Sequence, residues 1–554
     1  MSRSPADEEL LQRARDWLAE DPDPATRQEL AVVLAAEDLA ALRDCFAGPL
    51  AFGTAGLRGQ LGAGPNRMNR AVVLRTAAAL AGYLADSGGH SVVIGYDARH
   101  NSAVFARDTA AVLAGAGLQA RVLPRALPTP VLAFAVRAFA ADAGVMVTAS
   151  HNPRGDNGYK VYLASGSQLT APVDAEISAR SAKVGTLASI PLSTEWEVLD
   201  EQVVQAYIDR AASLVAPRSP RDLRISYTPL HGVGRNVLLA VLARAGFPAP
   251  QVVAWQSDPD PDFPTTPVPN PEEPGVLDLL LGLAREQGAD LALAHDPDAD
   301  RLAVACQGRV LHGDEVGALL AVHLLRRHPR ATGTFAASTV SAGLLARLAE
   351  AHGVPYAETL TGFKWIAAVP GLRYGYEEAL GYCVDPTAVR DKDGITAAVL
   401  VAELAAALKA EGRTLLDLLD DIACRYGLFA TEQVTLHLPA ADLAATMQRL
   451  RADPPRQLGG HRVVAVEDLL AGVGGLPPTD GLRWRLDGDR RVIVRPSGTE
   501  SKLKFYLEVV VVVTGGDVRA ARASAAKQLS VLGHAVRFLA GLPIEQREDL
   551  GAGR

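Results

Sequence analysis

Short apolar strands alternating with helical stretches recur along this chain, and each strand stops at a polar or glycine-rich turn. This alternation constrains the fold most, because it implies an α/β layer built on a mostly parallel sheet. The first run holds a helix from Ala71 to Ala85 and the strand SVVIGYDAR, which ends in Asp97 and Arg99. A helix from Ala103 to Ala116, a strand from Ala120 to Leu123, a helix opened by PTP and a small-residue strand from Ala143 to Val147 follow. The pattern restarts at RISYTPLHGVG, Arg224 to Gly234, and again after Gly313. Within the third run, Ile395 to Lys409 reads as a strongly apolar helix. From about Thr431 the texture changes to VTLHL, a helix near Ala441, RVVAV, RWRL, RVIVRPSGT, LKFYLEVVVVV and a final helix, which is an α+β order. Residues 7 to 47 read as two helices parted by the Asp-Pro repeat at Asp21 to Pro24, packed on the first domain. The expected domains are 1–212, 213–312, 313–428 and 429–554, in line with roughly three to five for 554 residues.

Composition narrows the function. Hydrophobic residues at 48% and charged residues at 21% fit a soluble globular protein. A net charge of -8, with no basic run interleaved with aromatics, argues against nucleic acid as a partner. The acidic, amphipathic N-terminus does not read as a secretory signal, and no apolar run is long enough for a bilayer. Cys45, Cys306, Cys383 and Cys424 are scattered without Cys-x-x-Cys spacing and read as reduced thiols of a cytoplasmic protein.

Four polar loops carry chemistry. In TASHNPRGDNGYK, Thr148 to Lys160, Ser150 sits in a turn set by Asn152, Pro153 and Gly155, with His151 beside it and Lys160 within reach of the same bend. A hydroxyl at a strand end is exposed to attack chemistry, and an imidazole or ammonium beside it can take its proton or hold an anion. An isolated Ser-His pair is equally at home in an inert polar turn; the other loops give it company. HDPDADR places Asp296, Asp298 and Asp300 at alternate positions after an apolar strand, a set of hard oxygen donors suited to Mg²⁺. Three solvated aspartates in a turn are the alternative there. RPSGTESK, Arg495 to Lys502, offers a guanidinium, hydroxyls and a glycine that make a phosphate nest, or a plain hairpin turn. GYEEALGY puts Glu377 and Glu378 in a glycine-rich loop able to bond sugar hydroxyls, or at a helix start. ETLTGFKW adds Thr361, Gly362 and Lys364, and the glycine-rich FGTAGLRGQLGAGPNRMN adds Arg58 and Arg67. The proline-rich, acidic stretch Asp258 to Gly275 reads as a rigid surface connection.

Taken together, these loops resemble the α-D-phosphohexomutase superfamily of phosphoglucomutases and phosphomannomutases, nearly end to end and in order. TASHNP, DPDADR and the Arg-Pro-Ser-Gly-Thr loop are its most specific marks. FGTAGLRG, TLTGFK and YEEALGY are similar to the branch of phosphopentomutase-type phosphoglucomutases and glucose-1,6-bisphosphate synthase.

The resemblance implies a four-domain α/β enzyme: three similar mixed α/β domains and a C-terminal α+β domain like the TATA-binding protein, around a central cleft. It implies that Ser150 is carried as phosphoserine and that Asp296, Asp298 and Asp300 hold one Mg²⁺ together with it. Arg58, Lys160 and His151 would serve proton transfer and phosphoryl stabilisation. Arg301, Thr361, Gly362, Lys364, Glu377, Glu378 and Lys392 would bind substrate, and Arg495, Ser497, Gly498 and Thr499 would grip its non-reacting phosphate. The implied reaction interconverts hexose 1-phosphate and hexose 6-phosphate, of glucose or mannose, through a bisphosphate intermediate, with a sugar bisphosphate as activator. A phosphopentomutase, a glucose-1,6-bisphosphate synthase and a non-catalytic sugar-phosphate binder are the rival readings. Ala379 stands where the glucose-specific branch usually has serine, which leaves room for a pentose phosphate. Expected partners are small sugar phosphates, with no nucleic acid and no membrane, and the chain is expected as a monomer or homodimer.

Overall fold

The computed structural model describes residues 4–53, 56–497 and 502–541. Two compact units emerge: residues 1–310 with 381–406, and residues 311–380 with 407–554.

The first unit opens with three helices, Pro5–Glu20, Pro24–Ala35 and Leu39–Cys45, where the sequence reading has two. The additional helix starts at Asp38, whose carboxylate accepts the backbone N–H groups of Ala40 and Ala41 and so satisfies donors no helix can satisfy internally. Leu10, Leu11, Leu30 and Leu42 pack these helices into a small core of their own.

Beyond them lies a six-stranded sheet in the order Leu57–Gln60, Asp156–Leu163, Ala143–Val147, Ser91–Tyr96, Gln119–Val122, Glu197–Val198. The last four run parallel, as alternation with helices requires, but the first two are antiparallel to their neighbours. Lys160 belongs to the strand Asp156–Leu163. Strand Ala143–Val147 is buried along its whole length. A Cβ on its Gly144 would come within 2.3 Å of Val136 on the helix Thr129–Ala138, so close helix packing explains the small residues. The second sheet sets Leu291–Ala294 between Ile225–Thr228, its parallel neighbour, and Ala303–Cys306, its antiparallel one. The proline-rich stretch is more than a surface connection: Phe263, Thr266 and Asn270 in it are buried.

The second unit contains two sheets. One places Thr334–Ser338 between Tyr356–Thr359 and Leu372–Glu377, all parallel. Glu377 thus ends a strand, whereas the sequence reading puts it in a loop. The other is fully antiparallel and six-stranded, in the order Leu428–His437, Lys502–Val511, Arg490–Pro496, Leu482–Leu486, His461–Asp468, Gln457–Leu458. Leu482, Trp484 and Leu486 point into one core with Leu529 and Leu532 of the helix Val518–Leu539. Period-2 alternation sends Arg483 to the opposite face, where it pairs with Glu358 at 2.7 Å and Glu467 at 2.6 Å. No helix among the described residues is long and apolar enough to cross a membrane. Cys45, Cys306 and Cys383 are buried thiols and Cys424 an exposed one.

One acid in this unit has a pH signature. Asp314, at the start of the helix Gly313–Arg327, accepts Ala342 N–H at 2.7 Å and the hydroxyls of Tyr376 at 2.9 Å and Thr431 at 3.1 Å. Burial pushes its carboxyl up to about 7 from an ordinary 3.8, and the Glu378 and Glu508 carboxylates add to the rise. A raised carboxyl binds its proton more tightly folded than unfolded, so its contribution to stability declines as pH rises from about 4 to about 7. Asp314→Asn keeps the two bonds accepted at Oδ1 and reverses the third, its amide donating to the Thr431 hydroxyl, without the charge. It should raise the melting temperature of this unit at pH 8, by the equivalent of a few kcal/mol on the order of the shift, and the gain should vanish by pH 4 in a thermal-melt series.

Candidate active site

Ser150 follows the buried strand Ala143–Val147 by three residues and takes a left-handed φ of 54°. That conformation costs a residue with a Cβ roughly 1–2 kcal/mol, so its neighbours must enforce it. Its N–H donates to Thr148 Oγ1 at 2.8 Å, and the Thr148 hydroxyl donates to Asp97 at 2.6 Å. Asp97 also accepts Arg99 N–H at 3.0 Å and the Ser102 hydroxyl at 2.6 Å. The Arg99 guanidinium then donates to four carbonyls of the turn: Ser150 at 2.7 Å, Asn152 at 2.5 Å, Pro153 at 2.9 Å and Asp156 at 3.1 Å. Phe263 lies under it, 4.9 Å from ring centre to guanidinium carbon. Arg99 was visible at the sequence level only as a polar residue at a strand end; its role as the clamp of this turn requires the fold.

The aspartate loop leaves strand Leu291–Ala294 through His295, whose Nε2 donates to the Gly394 carbonyl at 3.0 Å while Nδ1 faces the Tyr227 hydroxyl at 3.1 Å. Burial lowers this imidazole to about 4, so it stays neutral. The loop is pressed between two glycines. A Cβ on Gly232 would lie 2.3 Å from Pro297, and one on Gly394 would lie 2.3 Å from the Arg301 carbonyl. Oxygens of Asp296, Asp298 and Asp300 converge within 4.8 Å of one another, all buried.

Ser150 Oγ meets this loop directly, donating to Asp296 at 2.6 Å, with His151 Nδ1 at 3.1 Å on its other side. Lys160 Nζ donates to Asp298 at 2.7 Å and Asp300 at 2.8 Å, and Lys392 lies 3.3 Å from Asp300. The Thr129 hydroxyl donates to Asp298 at 2.6 Å. Arg301 gives its N–H to Asp296 at 3.0 Å and its guanidinium to Glu272 at 3.0 Å. Arg58 reaches Asn152 at 3.1 Å, whereas Arg67 pairs with Asp44 of the N-terminal helices.

Burial sets the electrostatics here. It pushes the Asp296 carboxyl well above the usual range, helped by the Asp298 and Asp300 charges. Asp300 suffers the same burial, but Lys160, Lys392 and Arg301 outweigh it and hold its carboxyl well below that range. Burial would strip Lys160 of its proton, yet Asp298 and Asp300 raise its ammonium above the ordinary value. Burial, with Arg301 and Arg58 adding positive charge, pushes His151 well below its usual value, so it is neutral. Asp298 Oδ1 and Asp300 Oδ1 are buried with no hydrogen-bond partner among the described residues. Such orphaned acceptors cost about 1–3 kcal/mol each. Hard, converging oxygens with unused lone pairs fit a divalent cation of the Mg²⁺ type.

The remaining sequence candidates lie in the other unit. Gly362, at φ 106°, follows Thr361 and precedes the helix Phe363–Ala367 that carries Lys364. Glu378 accepts the hydroxyls of Ser338 at 2.9 Å and Ser341 at 3.0 Å. Arg495 lies in the strand Arg490–Pro496, and Ser497 N–H donates to the Lys502 carbonyl at 2.8 Å. Gly498 and Thr499 fall outside the described residues.

The clamp makes a measurable demand. Arg99→Lys keeps the charge but not the planar fan of donors. It should lower turnover roughly tenfold or more with little change in KM, the loss expected when the reacting atom is misplaced. Steady-state kinetics alongside a melting curve would check this.

The chain matches phosphoglucomutase/phosphomannomutase alpha/beta/alpha domain I over residues 49–187, domain II over 205–309, domain III over 312–426 and the C-terminal domain over 447–524. It is 47% identical over 453 residues to a probable phosphomannomutase of Haemophilus influenzae, covering 80% of this chain and 93% of that protein. A probable phosphoribomutase of Schizosaccharomyces pombe is 34% identical over 553 residues, covering 90% of this chain and 93% of that one. The crystal structure of a putative phosphomannomutase from Thermus thermophilus superposes with a TM-score of 0.69 at 27% identity, covering 87% of this chain and 99% of that one. These matches cover all four domains in order, and the chain belongs to the phosphoglucomutase/phosphomannomutase family of the α-D-phosphohexomutase superfamily.

Proposed function

We propose that this protein is a phosphosugar mutase that interconverts hexose 1-phosphate and hexose 6-phosphate, of glucose or mannose, with Ser150 carried as phosphoserine. The observation that carries the reading is Ser150 Oγ at 2.6 Å from Asp296, inside a carboxylate cluster with orphaned oxygens. As a hydroxyl, Ser150 donates to that carboxylate. Phosphorylated, it would carry a charge of about -1.5 to -2 beside it. Unit charges 4 Å apart repel by about 4 kcal/mol even at an effective dielectric of 20. A cation entering with the phosphoryl group would offset that repulsion. Asp296, Asp298 and Asp300 would hold Mg²⁺, which would neutralise charge on the transferring group.

The chain's own residues do the rest. Ser150 gives its phosphoryl group to the free hydroxyl of a sugar monophosphate, breaking the P–Oγ bond and forming a P–O bond to the sugar. The other phosphoryl group of the resulting bisphosphate is then taken back onto Oγ. In the first step the sugar hydroxyl's proton ends on the departing Oγ, and in the second the Oγ proton returns to the sugar oxygen that leaves; neutral His151, at 3.1 Å from Oγ, is placed to relay it. Lys160, Lys392 and Arg58 supply fixed positive charge, which phosphoryl transfer needs more than covalent help. By motif, Glu377 and Glu378 bond sugar hydroxyls with Thr361, Gly362 and Lys364. Arg495 and Ser497, with Gly498 and Thr499, take the non-reacting phosphate, and Arg301 joins the phosphate contacts. A sugar bisphosphate charges the enzyme at the start. The scattered, unbridged thiols support a cytoplasmic setting.

A pentose phosphate is the second reading. Ala379 removes one hydroxyl partner beside Glu377 and Glu378, and the relatives include a probable phosphoribomutase. Assays on glucose, mannose, ribose and deoxyribose 1-phosphates at one Mg²⁺ concentration separate the two by relative kcat/KM. Ser150→Ala should abolish mutase turnover, and near-normal rates would remove the covalent step. Asp298→Asn should weaken Mg²⁺ binding by roughly tenfold to a hundredfold, read by calorimetric titration of the metal alone.

A further inference from the structure

Lys392 is held in a turn of unusual construction. The residues on either side of it, Asp391 and Asp393, are both buried acids, and each is anchored by a tyrosine from a distant segment. Tyr162 donates its hydroxyl to Asp391 Oδ2 at 2.7 Å, and Gln168 Nε2 donates to the same oxygen at 2.7 Å. The other oxygen, Oδ1, accepts the backbone N–H of Lys392 itself at 2.8 Å. Asp393 accepts the Tyr207 hydroxyl at 2.8 Å and caps the helix Gly394–Ala410 through the N–H groups of Ile395 and Thr396. Gly394 then sits against the Arg301 carbonyl with no room for a side chain. The turn is thereby fixed against the aspartate loop, and the Lys392 ammonium comes to 3.3 Å from Asp300.

Tyr162 comes from the strand that carries Lys160. Residues two apart on a strand share a face. Lys160 therefore reaches Asp298 and Asp300 from the same side on which Tyr162 reaches Asp391. Gln168 returns to that strand through a bridge between its backbone and that of Tyr162, so the two donors are set together. One strand thus places one ammonium directly and the other through an intervening carboxylate.

We infer that Asp391, held by Tyr162 and Gln168, is a positioning residue that aims Lys392 at Asp300, so that Tyr162 couples the placement of the two lysines. This deepens the mutase reading and rests on it. Asp391 and Tyr162 need touch no substrate; they act through the direction of the Lys392 side chain.

The test is a double-mutant cycle on the full chain. Tyr162→Phe and Asp391→Asn are each made alone and in a Lys392→Gln background, with a thermal melt to confirm folding. The readout is single-turnover phosphoryl transfer from Ser150, charged with a sugar bisphosphate, so that slow variants stay measurable. Each single change should slow transfer roughly tenfold, the worth of one hydrogen bond to a charged group, with KM for the sugar phosphate little changed. In the Lys392→Gln background the same changes should cost less than about twofold, because a lost aim has nothing left to aim. Full, additive losses in that background would overturn the inference, as would wild-type rates in both single variants. Gln168→Ala, which removes the other donor, serves in the same cycle should Tyr162→Phe fail to fold. A wild-type protein that folds, takes up phosphate on Ser150 and still transfers none to any sugar phosphate would instead refute the mutase reading itself.

Discussion

A fully buried ammonium between two fully buried carboxylates is the interaction on which this candidate site depends. Lys160 joins Asp298 and Asp300 at 2.7 and 2.8 Å, with essentially no side-chain exposure on any of the three. Removing such charges from water costs several kcal/mol per ion, offset only by close geometry and further hydrogen bonds. The structure supplies both. Thr129 bonds Asp298, Lys392 flanks Asp300, and glycines at 232 and 394 let neighbouring backbone close onto the loop. Polar pairing stays incomplete, because Oδ1 of Asp298 and Oδ1 of Asp300 have no hydrogen-bond partner among the described residues. Those unused lone pairs are what suit the loop to a divalent cation.

The serine itself is kept in a strained conformation by a second buried polar assembly. Asp97, Thr148 and Arg99 together satisfy the turn's N–H and four of its carbonyls, leaving Ser150 little freedom. The frame comes from the sheet: Asp97 and Arg99 follow one strand and Ser150 follows its parallel neighbour, so the two strand ends deliver clamp and serine side by side.

The second unit uses buried charge for a different end. On the strand Leu482–Leu486, alternate residues feed an apolar core, while Arg483 on the other face bonds Glu358 and Glu467. Arg491 on the next strand pairs with Glu508 at 2.6 Å. The Arg483–Glu358 pair ties the antiparallel sheet to the parallel one, and Arg491 adds bonds to the carbonyls of Thr339 and Ser341 just past the strand Thr334–Ser338. Two sheets of different topology therefore behave as one unit here.

Local sequence determined much of this. Apolar runs leading to Ser150 and Asp296 were legible as strands with polar loops, because burial imposes periodicity and turns need glycine, proline or asparagine. The closeness of the aspartate trio was legible because alternate positions in one short loop keep its carboxylates near one another. The Arg99 clamp, the neutral His295 and the Tyr162–Asp391–Lys392 chain were not, since each joins residues far apart in the sequence. Nor was the strand that carries Lys160, whose antiparallel insertion breaks the pattern that alternation implies. A sequence states which groups can ionise, donate or turn; only the packed fold decides which of them share a dry space, and in that space proximity and desolvation assign each its charge and its task.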